Sequence, residues 1–288
     1  MRIFLTGGTG FLGSNLLKKL LESDNEVIAL KRTIESKPKV HLEKNPKWIV
    51  GSLDNVDNNH FINQDLLVHL AAHSTQPPYD NLQNCIRKNV LDPLDLFENA
   101  FNAGIRKFLV VGSCFEYGLS ANNYQYIPPN APLFPTDSYP ASKAMASIAF
   151  IQWAIEKKVS MSIQRLFYIY GDGENDKRFY PSLKKAALNG IDFEISKGEQ
   201  IRDTCEINKS IKILYKEIKR IIDSKKYDVR ISNIGSGENL SIKDFALHLW
   251  SELNANGKLK IGSLPYRDRE IMRYVPELNE EYIIYSFD

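Results

Sequence analysis

The sequence predicts an α/β protein: a doubly wound parallel sheet with a smaller lobe towards the C-terminus. Three observations carry that expectation. Within the opening residues, MRIFLTGGTGFLGSN, a short apolar run ends in a glycine-rich loop and then a helical stretch. Up to about residue 171, apolar runs alternate with segments of helical spacing, the pattern of parallel strands joined by crossover helices. Pro and Gly gather at 127–140 and 171–181. A compact domain keeps such long loops mainly for function.

Taken in order, strands are expected at 2–5, 26–30, 48–50, 66–70, 107–111 and 160–166, and a later one at 229–234. Helical spacing marks 12–21, then 84–103 through Ile86, Val90, Leu94, Phe97 and Ala100, and then 138–156. Beyond Gly171 the pattern loosens. Helices are predicted at 180–188, at 209–222 with Asn208 as N-cap, and at 242–253 with Ser241 as N-cap. The expected division is a dinucleotide-binding domain at 1–171, rejoined by about 204–236, with 172–203 and 237–288 forming a substrate lobe.

The chain has 288 residues, 43% of them apolar, enough for one large domain and a lobe. Its formal net charge is +2 with both signs interspersed, so no nucleic-acid face and no anionic-membrane surface is expected. Cys85, Cys114 and Cys205 are odd in number and widely spaced. They point away from a disulfide framework or a metal site and towards the reducing cytoplasm. The first apolar run breaks after five residues, too early for an export leader. No later stretch reaches the roughly 18 apolar residues of a membrane span.

Gly7, Gly10 and Gly13 have separable tasks in a strand-to-helix turn: a tight bend, close approach of backbone to a pyrophosphate, and close packing of helix on sheet. The helix start offers free N–H groups to phosphate. At Tyr139-Pro140-Ala141-Ser142-Lys143 a phenol and an ammonium stand four apart at the start of a predicted helix, on one face. A nearby cation stabilises a phenolate, so the pair suits proton transfer. Alone, such a pair reads far more readily as a packed tyrosine beside a solvated lysine; the strand-end Ser113, the Pro-rich loop and the dinucleotide loop shift the reading to chemistry.

With these motifs in view, the chain resembles the extended short-chain dehydrogenase/reductase family, in its nucleotide-sugar epimerase, dehydratase and reductase branch, with a Rossmann-like fold. Thr6-Gly7-Gly8-Thr9-Gly10-Phe11-Leu12-Gly13 matches its cofactor loop, and His69-Leu70-Ala71-Ala72 a strand end lining the cofactor. Asn89, Ser113 four residues before Tyr117-Gly118, the Tyr139 and Lys143 pair, Arg165-Leu166-Phe167, Tyr170-Gly171, Arg202-Asp203 and 233–237 follow in family order. The resemblance implies Tyr139 as general acid/base. Lys143 would hold the nicotinamide ribose while lowering the Tyr pKa, and Ser113 would bond the reacting sugar oxygen. It implies cofactor contacts from Gly7, Thr9, Gly10, Phe11, Leu12, Gly13, Lys31, Arg32, Ser52, Leu53, Leu70, Ala71, Ala72, Asn89 and Phe167. Substrate contacts would come from His73, Ser113, Cys114, Tyr168, Arg202 and Arg267, the last gripping a nucleotide diphosphate unless it is simply a surface charge. No metal is implied. Pairing of helices through Met145, Ile148, Ile151 and Ile155 would make a homodimer, though this face could equally be core.

Departures from the family narrow the reading. Cys114 and Phe115 replace the Asp-Glu pair of 4,6-dehydratases and cannot supply its acid and base. Lys31-Arg32 stands where NAD-preferring members carry an acid, which favours the 2′-phosphate of NADP(H) over NAD(H) unless the turn is merely basic and exposed. Tyr168 and Asn208-Lys209 replace a usual asparagine and an acidic pair. A short C-terminus matches the compact 4-keto-6-deoxyhexose reductases of the CDP-abequose synthase type. The expected activity is NADPH-dependent reduction of a nucleotide-linked 4-keto-6-deoxy sugar in surface-polysaccharide (lipopolysaccharide) synthesis. The alternatives are an NAD-holding 4-epimerase and a non-catalytic NADP-binding sensor.

Overall fold

The computed structural model describes residues 1–278 and 282–287. Its first strands are β1 (Arg2–Thr6), β2 (Glu26–Lys31), β3 (Lys47–Val50), β4 (Leu66–His69), β5 (Lys107–Ser113) and β6 (Ser160–Leu166). Then come β7 (Tyr168–Tyr170), β8 (Phe193–Ile195), β9 (Ile201–Glu206), β10 (Tyr227–Ile234), β11 (Asn239–Ser241), β12 (Leu259–Ile261), β13 (Arg273–Tyr274) and β14 (Tyr282–Phe287). The main sheet runs β3-β2-β1-β4-β5-β6-β10-β14. Every neighbouring pair is parallel except β10 with β14. Strand order reverses between β1 and β4, so the loops leaving them part and open a crevice above their carboxyl ends.

Strands covered on both faces read as continuous apolar runs, and β4 is buried along its whole length. One face takes α3 (Asp92–Asn102) and α4 (Ser138–Lys157), whose Phe97, Phe150 and Trp153 join Phe108 in a ring cluster. The other takes α1 (Phe11–Glu22) and α6 (Ile207–Asp223) through Leu16, Leu17, Leu20, Ile211, Leu214 and Ile218. Outside the main sheet, β9 pairs with β7, β11 and β13, and β12 with β8. Leu183 of α5 (Phe179–Leu188), Ile195, and Ala246 and Leu249 of α7 (Ile242–Glu252) form a small core of their own.

Four expectations change. Residues 84–103 are not one helix but α2 (Leu82–Ile86), a widened turn of π geometry at Arg87–Leu91, and α3. Pro93 lacks the N–H that the carbonyl of Asn89 would take in an α-helix. The cap of α6 is Glu206, whose carboxylate accepts from the N–H of Asn208 and Lys209; Asn208 lies inside the helix. Within the segment 237–288 assigned to the lobe, β14 instead extends the main sheet, antiparallel at its edge. On α4, Met145 and Ile148 are exposed, whereas Ile151 and Ile155 pack against the core. Ser241 caps α7, accepting from the N–H of Asp244 at 2.9 Å.

Candidate active site

A cleft of about 670 Å³ runs along the carboxyl ends of β1, β2, β4, β5 and β6, a volume suited to a cofactor-sized ligand. Its floor is the turn from β1 into α1. Gly7 has φ +77°, and a Cβ there would lie 2.6 Å from the Ala71 nitrogen. At Gly13 a Cβ would stand 2.0 Å from the Gly7 carbonyl oxygen, so any side chain would push the helix off the turn. Gly10 is the N-cap of α1 without a side-chain bond, and no acid occupies the first turn. The helix thus offers its N–H groups and positive end to an anion, as a dinucleotide pyrophosphate requires.

Thr9, Phe11, Leu12, Leu70, Ala71, Ala72, Ser52, Leu53 and Phe167 line the same cleft. Towards β2 the wall holds Lys31, Arg32, Lys39 and Lys88. Lys31 Nζ donates to the Ile34 carbonyl at 2.8 Å and lies over the Trp48 ring, while Arg32 is exposed. At the other end stand Ser113, Cys114, Tyr139, Lys143, His73 and Tyr168. Lys143 is carried one helical turn beyond Tyr139 on α4, and both are buried.

Burial pushes the Tyr139 phenol well above its ordinary range, and the Glu116 charge adds to this; a hydrogen bond with Ser113 opposes both. The expected depression of this phenol is therefore absent. Lys143 turns its Nζ to the Val111 carbonyl at 2.8 Å. Burial lowers its ammonium, with Glu116 opposing. Burial also pushes the Cys114 thiol up to about 12, so it is protonated and inert as a nucleophile.

Three expected contacts do not line the cleft. Asn89 is buried and spends its amide on the backbone of His73, accepting from its N–H (2.7 Å) and donating to its carbonyl (3.2 Å), and on Ser142 Oγ. It holds the loop after β4 in place. Arg202 is buried in an ion pair with Glu270 (2.6 Å) and lies over the Tyr168 ring. Arg267 is exposed, although its charge, like that of Arg178, reaches the Tyr79 phenol.

Sequence reasoning missed Lys39, Lys88, Glu174 and Arg178 in the wall; only the Gly/Pro spacing of 171–181 hinted at the last two. Glu174 Oε2 is buried without a partner, while Oε1 faces Arg178 Nε at 3.4 Å. Burial pushes its carboxyl above the ordinary carboxylate range, with the Arg178 charge opposing. Asp172 offers its carbonyl to Asn15 Nδ2 of α1 at 3.0 Å, and Gly173 rests against Lys39 and Val40. The segment thus straps the glycine-loop end of the cleft. His73 Nε2 meets Asp80 Oδ2 at 2.7 Å, and the Tyr79 ring lies 5.5 Å from that of Tyr139.

Comparison with known proteins agrees with this geometry. CDP-abequose synthase of Salmonella muenchen is 26% identical over 275 residues, covering 94% of this chain and 87% of its own. The dTDP-6-deoxy-L-talose 4-dehydrogenase (NAD(+)) of Aggregatibacter actinomycetemcomitans is 25% identical over 278 residues, covering 94% and 98%. The structure of UDP-glucose 4-epimerase with UDP-glucose from Thermotoga maritima shares the fold, with TM-score 0.83, 20% identity and coverage of 97% and 90%. The model of the NAD dependent epimerase/dehydratase family matches residues 3–235, from the first strand through β10, and on that match the chain belongs to this family.

Proposed function

We propose that this protein reduces the 4-keto group of a nucleotide-linked 4-keto-6-deoxy sugar with NADPH. The observation that carries the reading is the grouping of Ser113, Tyr139 and Lys143 at one end of a cofactor-sized cleft whose wall elsewhere holds Arg32 and Lys39; burial and the Glu116 charge push the Tyr139 phenol up, which favours its protonated form. Reduction needs a proton donor at the sugar oxygen, whereas oxidation would need the phenolate. Held in this cleft, a reduced nicotinamide would supply the hydride for the carbonyl carbon. Ser113 orients the carbonyl, Tyr139 gives its proton to the oxygen, and Lys143 holds positive charge beside the phenolate left behind. The glycine turn fits the pyrophosphate, and the cations Arg32 and Lys39 suit a 2′-phosphate. Arg178 in the cleft wall is the cation for the substrate diphosphate; Arg267, outside the lining, would contribute only if the diphosphate extends towards Tyr79, and Arg202 is committed to Glu270. Buried free thiols at Cys85, Cys114 and Cys205 suit a cytoplasmic step of deoxysugar synthesis, and CDP-abequose synthase among the relatives supports the same placement.

A panel of CDP-, GDP-, dTDP- and UDP-linked 4-keto-6-deoxy sugars tests this. The expected result is stoichiometric loss of reduced-nicotinamide absorbance with at least one of them. A 4-epimerase that retains NAD is the second reading, favoured by the strap at Asp172 and Gly173 across the glycine-loop end of the cleft. Interconversion of a UDP-hexose without added cofactor, with no NADPH consumption on the panel, would establish it in place of the first.

A further inference from the structure

The fully buried carboxylate of Glu116 has no part in the reaction described above, yet it touches every element that carries it. Glu116 ends the short 3-10 turn, Cys114–Glu116, that follows Ser113. Its Oε1 accepts from the backbone N–H of Ser113 at 2.7 Å. Oε2 accepts from Ser147 Oγ on α4 at 2.7 Å and from Arg165 Nε on β6 at 2.7 Å. The space for it exists because residue 112 is glycine: a Cβ there would lie 2.6 Å from Oε1. Arg165 turns Nη1 away from α4, donating to the Pro129 carbonyl (2.8 Å) and the Tyr117 hydroxyl (3.1 Å), and Tyr117 donates onward to Asn233 Oδ1 (2.6 Å).

We propose that Glu116 is the positioning residue of this site, fixing Ser113 against the helix of Tyr139 and Lys143 and holding negative charge beside that pair. The proposal rests on the reading of Tyr139 as proton donor. A carboxylate there opposes the second negative charge of a phenolate and favours the ammonium. Tyr139 faces Glu116 and Cys114 from the turn after β5, Tyr79 from the loop after β4, and Lys143 on its own helix. Of these, Glu116 adds the largest push against ionisation after burial itself. The residue therefore favours the protonated phenol without touching substrate.

The test uses the ligand-free protein with tyrosines labelled at 13Cζ and Tyr139→Phe to identify the resonance. Titrated upward from pH 10, where ordinary tyrosines are about half ionised, Tyr139 is expected to begin ionising at a lower pH in Glu116→Gln than in the wild type. Because that change leaves Arg165 buried without its partner and so threatens folding, Glu116→Gln/Arg165→Gln is measured alongside, with the same expectation. In the reductase assay the high-pH limb of kcat should move to lower pH with KM within about twofold. An unchanged Tyr139 resonance in folded protein of both variants overturns the proposal, even where reduction is observed. A shifted resonance sustains it whether or not any 4-keto sugar is consumed, so its failure and that of the reductase reading are separable.

Discussion

Tyr139 in the cleft and His69 on β4 are both held neutral by burial, yet they predict different experiments. Tyr139→Phe keeps the ring and removes only the transferable proton. Turnover is expected to fall about 10²- to 10⁴-fold with NADPH affinity within about twofold, checked by steady-state kinetics and fluorescence titration. Burial, with the Lys143 charge adding, pushes the His69 imidazole down to about 3, and its Nδ1 meets Thr6 Oγ1 at 2.9 Å. The unfolded chain protonates this group first as pH falls below about 6.5, so its contribution to stability is full above that value. It declines by up to about 1.4 kcal/mol per pH unit towards pH 3. His69→Gln should remove that part of the pH slope of urea unfolding; an identical slope in both proteins rules it out. Arg32→Ala tests the phosphate preference: NADPH affinity should drop about tenfold, near 1.4 kcal/mol, while NADH affinity stays put. That Tyr139 and Lys143 share a helix face was legible in local spacing, and the structure buries both on α4; their roles and that of Ser113 came from the resemblance to the family. Glu116 was not legible, since its importance arises only where β5, α4 and β6 meet, and neither was the Arg202–Glu270 pair, whose members stand 68 residues apart.

At the level of elements, the turn from β1 into α1 is the least forgiving. Gly13→Ala puts a carbon 2.0 Å from the Gly7 oxygen, which only movement of α1 can relieve. Calorimetry should show a lower melting temperature and loss of cofactor-induced stabilisation. The alternation of strands and helices was legible where α1, α3 and α4 cross between strands, each with an apolar face at helical spacing; the links from β2 to β3 and from β3 to β4 carry no α-helix. The break at Arg87–Leu91 was not legible, although Pro93 marks it, because apolar spacing continues across it through Val90 and Leu94. The edge strand Tyr282–Phe287 was missed for another reason. Its run Tyr-Ile-Ile-Tyr is apolar, but it follows the irregular segment beyond Gly171, outside the strand–helix alternation, and pairs antiparallel at the sheet edge with most of its length exposed.

For the whole molecule, the exposed Met145 and Ile148 on α4 and Leu82 and Leu91 on the neighbouring segment favour the proposed homodimer. Light scattering should give twice the 32.9 kDa chain mass, and Ile148→Glu should return it to one; a wild type that is already monomeric ends the idea. The strap across the glycine-loop end bears on time rather than on affinity. With Asp172 held to Asn15 and Gly173 seated on Lys39 and Val40, a spent dinucleotide must lift this crossing or slide out lengthwise. In a reductase that step recurs every cycle. Rapid mixing should then show one fast turnover per site before a slower steady rate, and Asn15→Ala should raise the slow rate while leaving the fast one alone.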